Sequence, residues 1–168
     1  MQTRSIFLAA LIATSAQARA EEPRGCDKFK WPIAGIQAAL QSAGAAVGSE
    51  LSVPVGEAVK AQLVPFASAR FALAPERSPK NPSSYAGVFA VTAPPAPAAY
   101  VVSLSGEGWI DVVQDGHFIK SVAFTGALDC PGVRKSVKFM LEAKPFTLQV
   151  SNVSVPQLSV LVAAEPTP

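Results

Sequence analysis

The chain has 168 residues, of which 49% are hydrophobic and 15% charged, and its 14 basic and 12 acidic residues give a formal net charge of +2. This length fits a single domain with one core. A charge this close to neutral provides no broad basic surface, so we expect neither nucleic acid nor an anionic membrane surface as a partner.

Residues 1–20 have the pattern of a Sec-type signal peptide. A short basic start, "MQTR", precedes the apolar run "SIFLAALIATSA", and "ARA" then supplies a small-x-small cleavage pattern. We therefore expect cleavage after Ala20 and a periplasmic or secreted protein that begins at Glu21. The apolar run is too short to span a bilayer stably, so no membrane anchor is expected. Cleavage also removes two basic residues, which leaves twelve basic and twelve acidic ones.

Residues 21–58 form an N-terminal segment rich in Ala, Gly and Ser, for which one short helix is predicted. The stretch "WPIAGIQAALQSA" places Trp31, Ile36 and Leu40 on one side of a helix, and its proline suits a first helical turn. Residues 59–168 have a different pattern, and we expect the two parts to fold as one domain.

From residue 59 onward, short apolar alternations are separated by turn signals. The last three segments each have one apolar and one polar face, which is typical of a half-solvated antiparallel sheet. Eight or nine strands with no helix between them predict a mainly β fold, a single jelly-roll-like antiparallel β-sandwich with one N-terminal α-helix. The segments are "ARFALA" (69–74), "YAGVFAVT" (85–92), "AYVVSLS" (99–105), "WIDVVQ" (109–114), "HFIKSVAF" (117–124), "RKSVKFMLE" (134–142), "FTLQVS" (146–151) and "QLSVLV" (157–162).

The two cysteines, Cys26 and Cys130, predict a disulfide bond. An even number of cysteines in a small exported domain is typical of a structural bridge, and the alternative is a pair of reactive or metal-binding thiols. A bridge would close a loop of about a hundred residues and fix the N-terminal segment to the domain.

The stretch "GWIDVVQDGHFIKS" (108–121) predicts a β-hairpin with a two-residue Asp-Gly turn. If the strands pair symmetrically about this turn, three pairs of residues face one another on one side. They are Trp109 with Val122, Asp111 with Lys120, and Val113 with Phe118.

Both faces of this hairpin are half apolar, so the pattern leaves its orientation open. Because charges are rarely buried, we favour a core face that contains Ile110 and an outward face that contains Trp109. An outward Trp109 face could stack a sugar or contact a partner, or the N-terminal helix could cover it. The candidate ligand-binding residues on this face are Trp109, Asp111, Phe118 and Lys120.

A second candidate site is a basic corner formed by loop residues. Arg134 and Lys135 follow the "DCPG" turn, and with Arg77 and Lys80 they could bind an anion, although solvated loop charges are an equal interpretation. The only histidine, His117, flanks the hairpin turn. No cluster with metal-ligand spacing and no nucleotide-binding motif is present in the sequence, so neither a metal nor a cofactor is expected.

Five blocks of sequence carry a resemblance that covers most of the chain. They are "CDKFKWP" (26–32), "PERSPK" (75–80), "SYAG" (84–87), "GWIDVVQDG" (108–116) and "DCPGVRKSVKF" (129–139). They resemble a family of small exported bacterial proteins of unknown function that carries the label homogentisate 1,2-dioxygenase. That label implies a non-haem iron enzyme, whose metal site needs two His and one carboxylate. This chain has one His, so no iron ligand is carried over to it.

Two functional interpretations follow from the sequence. The favoured one is a non-catalytic periplasmic binding or interaction module of unknown ligand, with no catalytic residue and with a glycan or an envelope protein as its partner. The alternative is a non-haem iron enzyme of the homogentisate 1,2-dioxygenase type, as the resemblance implies.

Overall fold

The computed structural model describes residues 21–48 and 52–166, so the predicted signal peptide lies outside the described residues. Within these ranges the chain forms two packed β-sheets and one α-helix near the N-terminus. The prediction of a mainly β sandwich with an N-terminal helix is therefore confirmed. No helix in the described ranges has the length and apolar character needed to cross a membrane.

The elements are numbered in chain order. The helix α1 spans Ala34–Gln41, and single 3-10 turns occur at Cys26–Lys28 and Phe66–Ser68. The strands in the described ranges are β1 (Ala46–Val47), β2 (Ser52–Val53), β3 (Ala58–Gln62), β4 (Val64–Pro65), β5 (Tyr85–Val91), β6 (Ala98–Leu104), β7 (Trp109–Gln114), β8 (His117–Phe118), β9 (Ser121–Gly126), β10 (Lys135–Leu141), β11 (Phe146–Val153) and β12 (Gln157–Ala164).

The strands divide into a first sheet, ordered β1-β3-β12-β6-β10-β9, and a second sheet, ordered β2-β5-β11-β7-β8 with β4 also paired to β5. The longer strands pair antiparallel, whereas the short β1 and β2 add in parallel to β3 and β5. The chain crosses between the sheets at most connections, as it does in jelly-roll sandwiches.

The core lies between the two sheets and is built from alternate residues of each strand. Phe139 and Leu141 of β10 are buried there, as are Leu148 and Val150 of β11. Full burial of such side chains contributes about 1.5–3 kcal/mol each relative to exposure. The predicted apolar faces of these strands are therefore confirmed.

The outer face of the first sheet is covered by α1. Ile36 and Leu40 of the helix pack against Val101 and Leu161 of the sheet, in a small second core that also contains Val133. The helix therefore lies against the sheet that does not contain Trp109. The suggestion that it covers the Trp109 face is wrong.

The outer face of the second sheet is covered by residues 69–84, called here the 69–84 loop. The prediction of a strand at residues 69–74 is wrong, because this segment pairs with no strand of either sheet. Its backbone forms hydrogen bonds with the side chain of Gln149 instead. The Gln149 side chain accepts hydrogen bonds from the N–H groups of Ala72 (2.7 Å) and Leu73 (3.2 Å) and donates to the Leu73 carbonyl oxygen (3.1 Å). Gln149 is consequently fully buried on a face that alternation alone assigns to solvent.

The predicted disulfide is present. Cys26 and Cys130 are bonded, with their Cα atoms 4.8 Å apart and a sequence separation of 104. Two backbone hydrogen bonds join Leu128 to the same N-terminal segment. The Gly25 N–H donates to the Leu128 carbonyl oxygen (2.8 Å), and the Leu128 N–H donates to the Pro23 carbonyl oxygen (2.7 Å). The bridge fits a protein of the periplasm or the extracellular space.

We predict that replacing both cysteines, Cys26→Ala with Cys130→Ala, lowers the free energy of unfolding by roughly 2–5 kcal/mol, because the bridge closes a long loop in the unfolded chain. Urea unfolding of the oxidised wild type and the double variant measures this difference. Equal midpoints would show that the bridge does not stabilise the fold.

Candidate functional site

The hairpin turn forms in the predicted register. Asp115 and Gly116 both have positive φ angles, 52° and 77°, as a two-residue hairpin turn with matching twist requires. On either side, Gln114 pairs with His117 and Val113 with Phe118. The local sequence signal was therefore sufficient to predict this turn.

The hairpin is shorter than predicted, because the chain leaves the second sheet after Ile119. Beyond that residue, β9 joins the edge of the first sheet, so Lys120 does not lie across from Asp111. The cross-strand neighbour of Asp111 is Gln149 of β11, and Lys120 is exposed with no ion pair to any described residue. The predicted Asp111–Lys120 ion pair is wrong, as is the predicted pairing of Trp109 with a residue of β9.

The change of sheet leaves an opening between the edges of the two sheets, which holds a cavity of about 490 Å³, called here the edge cavity. Its apolar lining comes from the core residues Ile110, Val137 and Phe139, with Ile119 packed against them. Phe124 of β9 also lines the cavity, and 63% of it is exposed. The cavity therefore borders core residues of both sheets at this side of the sandwich.

A polar wall built around Trp109 borders the edge cavity. The indole Nε1–H donates to Asp111 Oδ1 at 2.7 Å, and the Glu76 backbone N–H donates to Asp111 Oδ2 at 3.3 Å. Two cations lie over the indole ring, the Arg77 guanidinium at 4.3 Å and the Lys135 ammonium at 5.1 Å from its centre. These cations occupy space that a sugar stacked on the ring would need.

Arg134 contributes a second polar group to the wall. Its guanidinium forms ion pairs with Glu22 and with Glu107, the latter at 2.6 Å, and its side chain is mostly buried. It therefore ties the N-terminal segment to the turn that precedes Trp109, and its charge is balanced within the protein.

Burial shifts the pKa of two groups in this wall. It raises the pKa of the Asp111 carboxyl, against the hydrogen bonds from Trp109 and Glu76, which favour the ionised form. Burial likewise lowers the pKa of the Lys135 ammonium, whose Nζ donates to the Gly108 carbonyl oxygen at 3.0 Å. Neither group forms an ion pair with another described residue.

The candidate residues from the sequence fall into two groups. Four line the edge cavity, namely Trp109, Asp111, Arg134 and Lys135, and Arg77 joins them. Phe118 is half-buried and Lys120 exposed, and neither lines this cavity. Sequence reasoning did not identify Glu22, Glu107 and Phe124, although the Gly-flanked position of Glu107 just before Trp109 was an available signal.

The donor groups do not fit an iron site of the kind that the resemblance implies. His117 is exposed at the hairpin turn, with Nδ1 2.8 Å from the Asp115 carbonyl oxygen. In the part of the chain that the structure describes, no three His, Cys, Asp or Glu side chains are grouped as metal ligands. A site with two His and one carboxylate therefore cannot be assembled from a single chain that contains one His.

We predict that Lys120→Ala changes the free energy of unfolding by no more than about 0.5 kcal/mol, because the side chain is exposed and without an ion pair. Urea unfolding is the measurement. A loss of several kcal/mol would mean that Lys120 does compensate the buried Asp111 carboxylate.

We further predict a pH-dependent effect of Asp111→Asn. The folded-state pKa of Asp111 is raised, so the folded protein holds this proton more tightly than the unfolded chain. The free energy of unfolding of the wild type, relative to that of the variant, should therefore fall as pH rises from the unfolded pKa of Asp111, about 3.9, to its higher folded pKa. Above the folded pKa this difference should remain level. Urea unfolding of both proteins across the acid range tests this, and a difference that increases with pH would contradict it.

Comparisons with protein-family models, with curated proteins and with solved structures found no match to this chain. The functional assignment therefore depends on the geometry of the edge cavity and its surroundings.

Proposed function

We propose that this protein is a non-catalytic binding module, exported to the periplasm or secreted, that holds a small amphipathic organic ligand in the edge cavity. The observation that carries the proposal is the cavity itself, about 490 Å³ in volume, with an apolar interior and a charged wall. Sites for small molecules are typically concave, mostly apolar and about 300–1,000 Å³ in volume.

The apolar part of the ligand would lie against the core residues that border the edge cavity. Ile110 and Phe139 belong to opposite sheets and both line the cavity, so a ligand inserted there contacts both layers. Phe124 would be covered by the same ligand, which removes a large exposed aromatic surface from water.

The polar part of the ligand would face the wall around Trp109. Lys135 retains N–H groups beyond its hydrogen bond to Gly108, whereas the buried Asp111 carboxyl fixes the Trp109 indole and the Glu76 backbone beside them. A few fixed polar groups beside an apolar floor orient a ligand and give specificity.

The wall geometry favours binding over catalysis. Arg134 is held between two carboxylates, and Asp111 is held by two donors, so these groups maintain the wall. Thr125 Oγ1 accepts a hydrogen bond from the Lys30 N–H at 3.1 Å, which fixes the N-terminal segment beside β9. An activated nucleophile would instead need a base within hydrogen-bond reach.

Export is supported by two independent features. The first twenty residues have the charge, apolar length and cleavage pattern of a signal peptide. The Cys26–Cys130 bridge is the second feature, because stable disulfides are typical of oxidising compartments.

We predict that the neutral apolar fluorophore N-phenyl-1-naphthylamine binds the wild type with a saturable rise in emission. Ser121→Trp should lower its affinity at least about tenfold, because Ser121 is exposed at the sheet edge and lines the cavity, where an indole would occupy the space. Fluorescence titration measures both affinities.

A matched control is Ser68→Trp, which adds the same ring at an exposed position that does not line the cavity. Its titration should match that of the wild type. Failure of the wild type to bind the fluorophore, or equal binding by Ser121→Trp, would overturn the proposed site.

A further inference from the structure

A second, smaller cavity lies beside the edge cavity and differs from it in character. Its volume is about 170 Å³, space for about five or six water molecules at roughly 30 Å³ each. Arg77, Glu107, Trp109 and Lys135 line both cavities, so these four residues form the boundary between them. We call the smaller one the basic cavity.

The charges of the basic cavity are mostly positive. Arg77, Lys80 and Lys135 line it, and none of these three forms an ion pair with a carboxylate of the described residues. Its one acidic lining residue is Glu107, whose carboxylate is 2.6 Å from Arg134. Three cations therefore surround a small space in which the single carboxylate is already engaged.

Ser84, one of the residues that line this cavity, carries a buried hydroxyl group without a partner. Ser84 is 5% exposed, and its Oγ has no hydrogen-bond partner. Its backbone is fixed on both sides, since Ser84 N–H donates to Asn81 (3.0 Å) and Phe66 N–H donates to the Ser84 carbonyl (2.9 Å). Buried polar groups are nearly always satisfied. The Ser84 Oγ atom has almost no accessible surface, so a rotation about the Cα–Cβ bond would be needed before it donates to a ligand in the cavity.

We infer that the basic cavity is a binding site for a small tetrahedral oxyanion of the phosphate or sulfate class, held by Arg77, Lys80, Lys135 and the Ser84 hydroxyl. Arg77 offers a planar array of N–H donors, and the two lysines offer ammonium groups. Lys135 donates to Gly108 and keeps further N–H groups for the anion. The volume accommodates such an anion with a few waters and is below the range of about 300–1,000 Å³ that is typical of sites for drug-sized ligands.

The turn that carries two of these groups is fixed by hydrogen bonds from the second sheet and within itself. The Lys80 backbone N–H donates to Asn152 Oδ1 at 2.9 Å, and the Ser83 backbone N–H donates to Asn81 Oδ1 at 2.9 Å. The backbone that carries Lys80 and Ser84 is thus fixed before any anion arrives, which lowers the cost of binding.

We predict that inorganic phosphate binds the disulfide-bonded protein saturably. Isothermal titration calorimetry measures this binding, with chloride added to keep the ionic strength constant. Lys80→Ala and Ser84→Ala should each weaken it about tenfold, since each removes a donor to a charged ligand. The matched control is Lys120→Ala, which also removes one positive charge, from an exposed lysine that lines neither cavity. Its affinity for phosphate should stay within about twofold of the wild type.

Titrations with sulfate and with glycerol 1-phosphate identify the source of the oxyanion. Equal affinity for phosphate and the ester supports a free anion, and tighter binding of the ester supports a phosphoryl group on a larger ligand. No binding of any of the three, or equal weakening by Lys80→Ala and Lys120→Ala, would overturn the site.

The Ser84→Ala variant also separates this inference from the proposed function. Ser84 does not line the edge cavity, so binding of N-phenyl-1-naphthylamine to this variant should match the wild type. Loss of phosphate binding with retained fluorophore binding supports two separate sites. Unchanged phosphate affinity in Ser84→Ala would show that the hydroxyl does not contact the anion.

Discussion

The arrangement of both cavities depends on the hydrogen bonds that hold the 69–84 loop against the second sheet. Gln149, fully buried in β11, makes three of them with the loop backbone, and Asp111 and Asn152 each accept one more. Without these bonds the fully buried Gln149 amide would face the covering loop without a partner, at a cost of about 1–3 kcal/mol for an unsatisfied group. The loop and the polar face of the sheet therefore stabilise one another, and neither arrangement is favourable alone.

The functional consequence comes from what the loop carries. Arg77 stands over the Trp109 ring because the residue before it, Glu76, is bound through its backbone to Asp111. Trp109 bonds to the same carboxyl group, so one buried acid positions both the ring and the cation above it. An apolar residue at position 111 would leave the indole N–H and the Glu76 N–H without this hydrogen-bond acceptor. This accounts for a carboxyl group at a buried position, where its pKa is raised.

The sequence was most informative where structure is local. Period-two alternation predicted the core faces of the later strands, the Asp-Gly pair predicted the hairpin turn, and the cysteine count predicted the bridge. It failed where a residue's environment is set by a distant segment. Residues 69–74 alternate like a strand yet bond to Gln149, and Asp111 is buried by a loop more than thirty residues away in sequence. The position of Lys120 could not be predicted either, because pairing arithmetic assumes that both arms of a hairpin stay in one sheet.

That change of sheet also explains why the sandwich has an opening at all. With β8 limited to two residues, the edge of the second sheet ends early, and β9 continues along the first sheet with Phe124 uncovered. Unpaired edges favour aggregation unless they are covered, and here the cover is partial. The segment fixed by the disulfide reaches β9, where the Lys30 N–H bonds to Thr125, and Glu22 pairs with Arg134 just before β10. Both Lys30 and Glu22 line the edge cavity. The N-terminal segment that the Cys26–Cys130 bridge fixes to the domain therefore also contributes to the wall of the edge cavity.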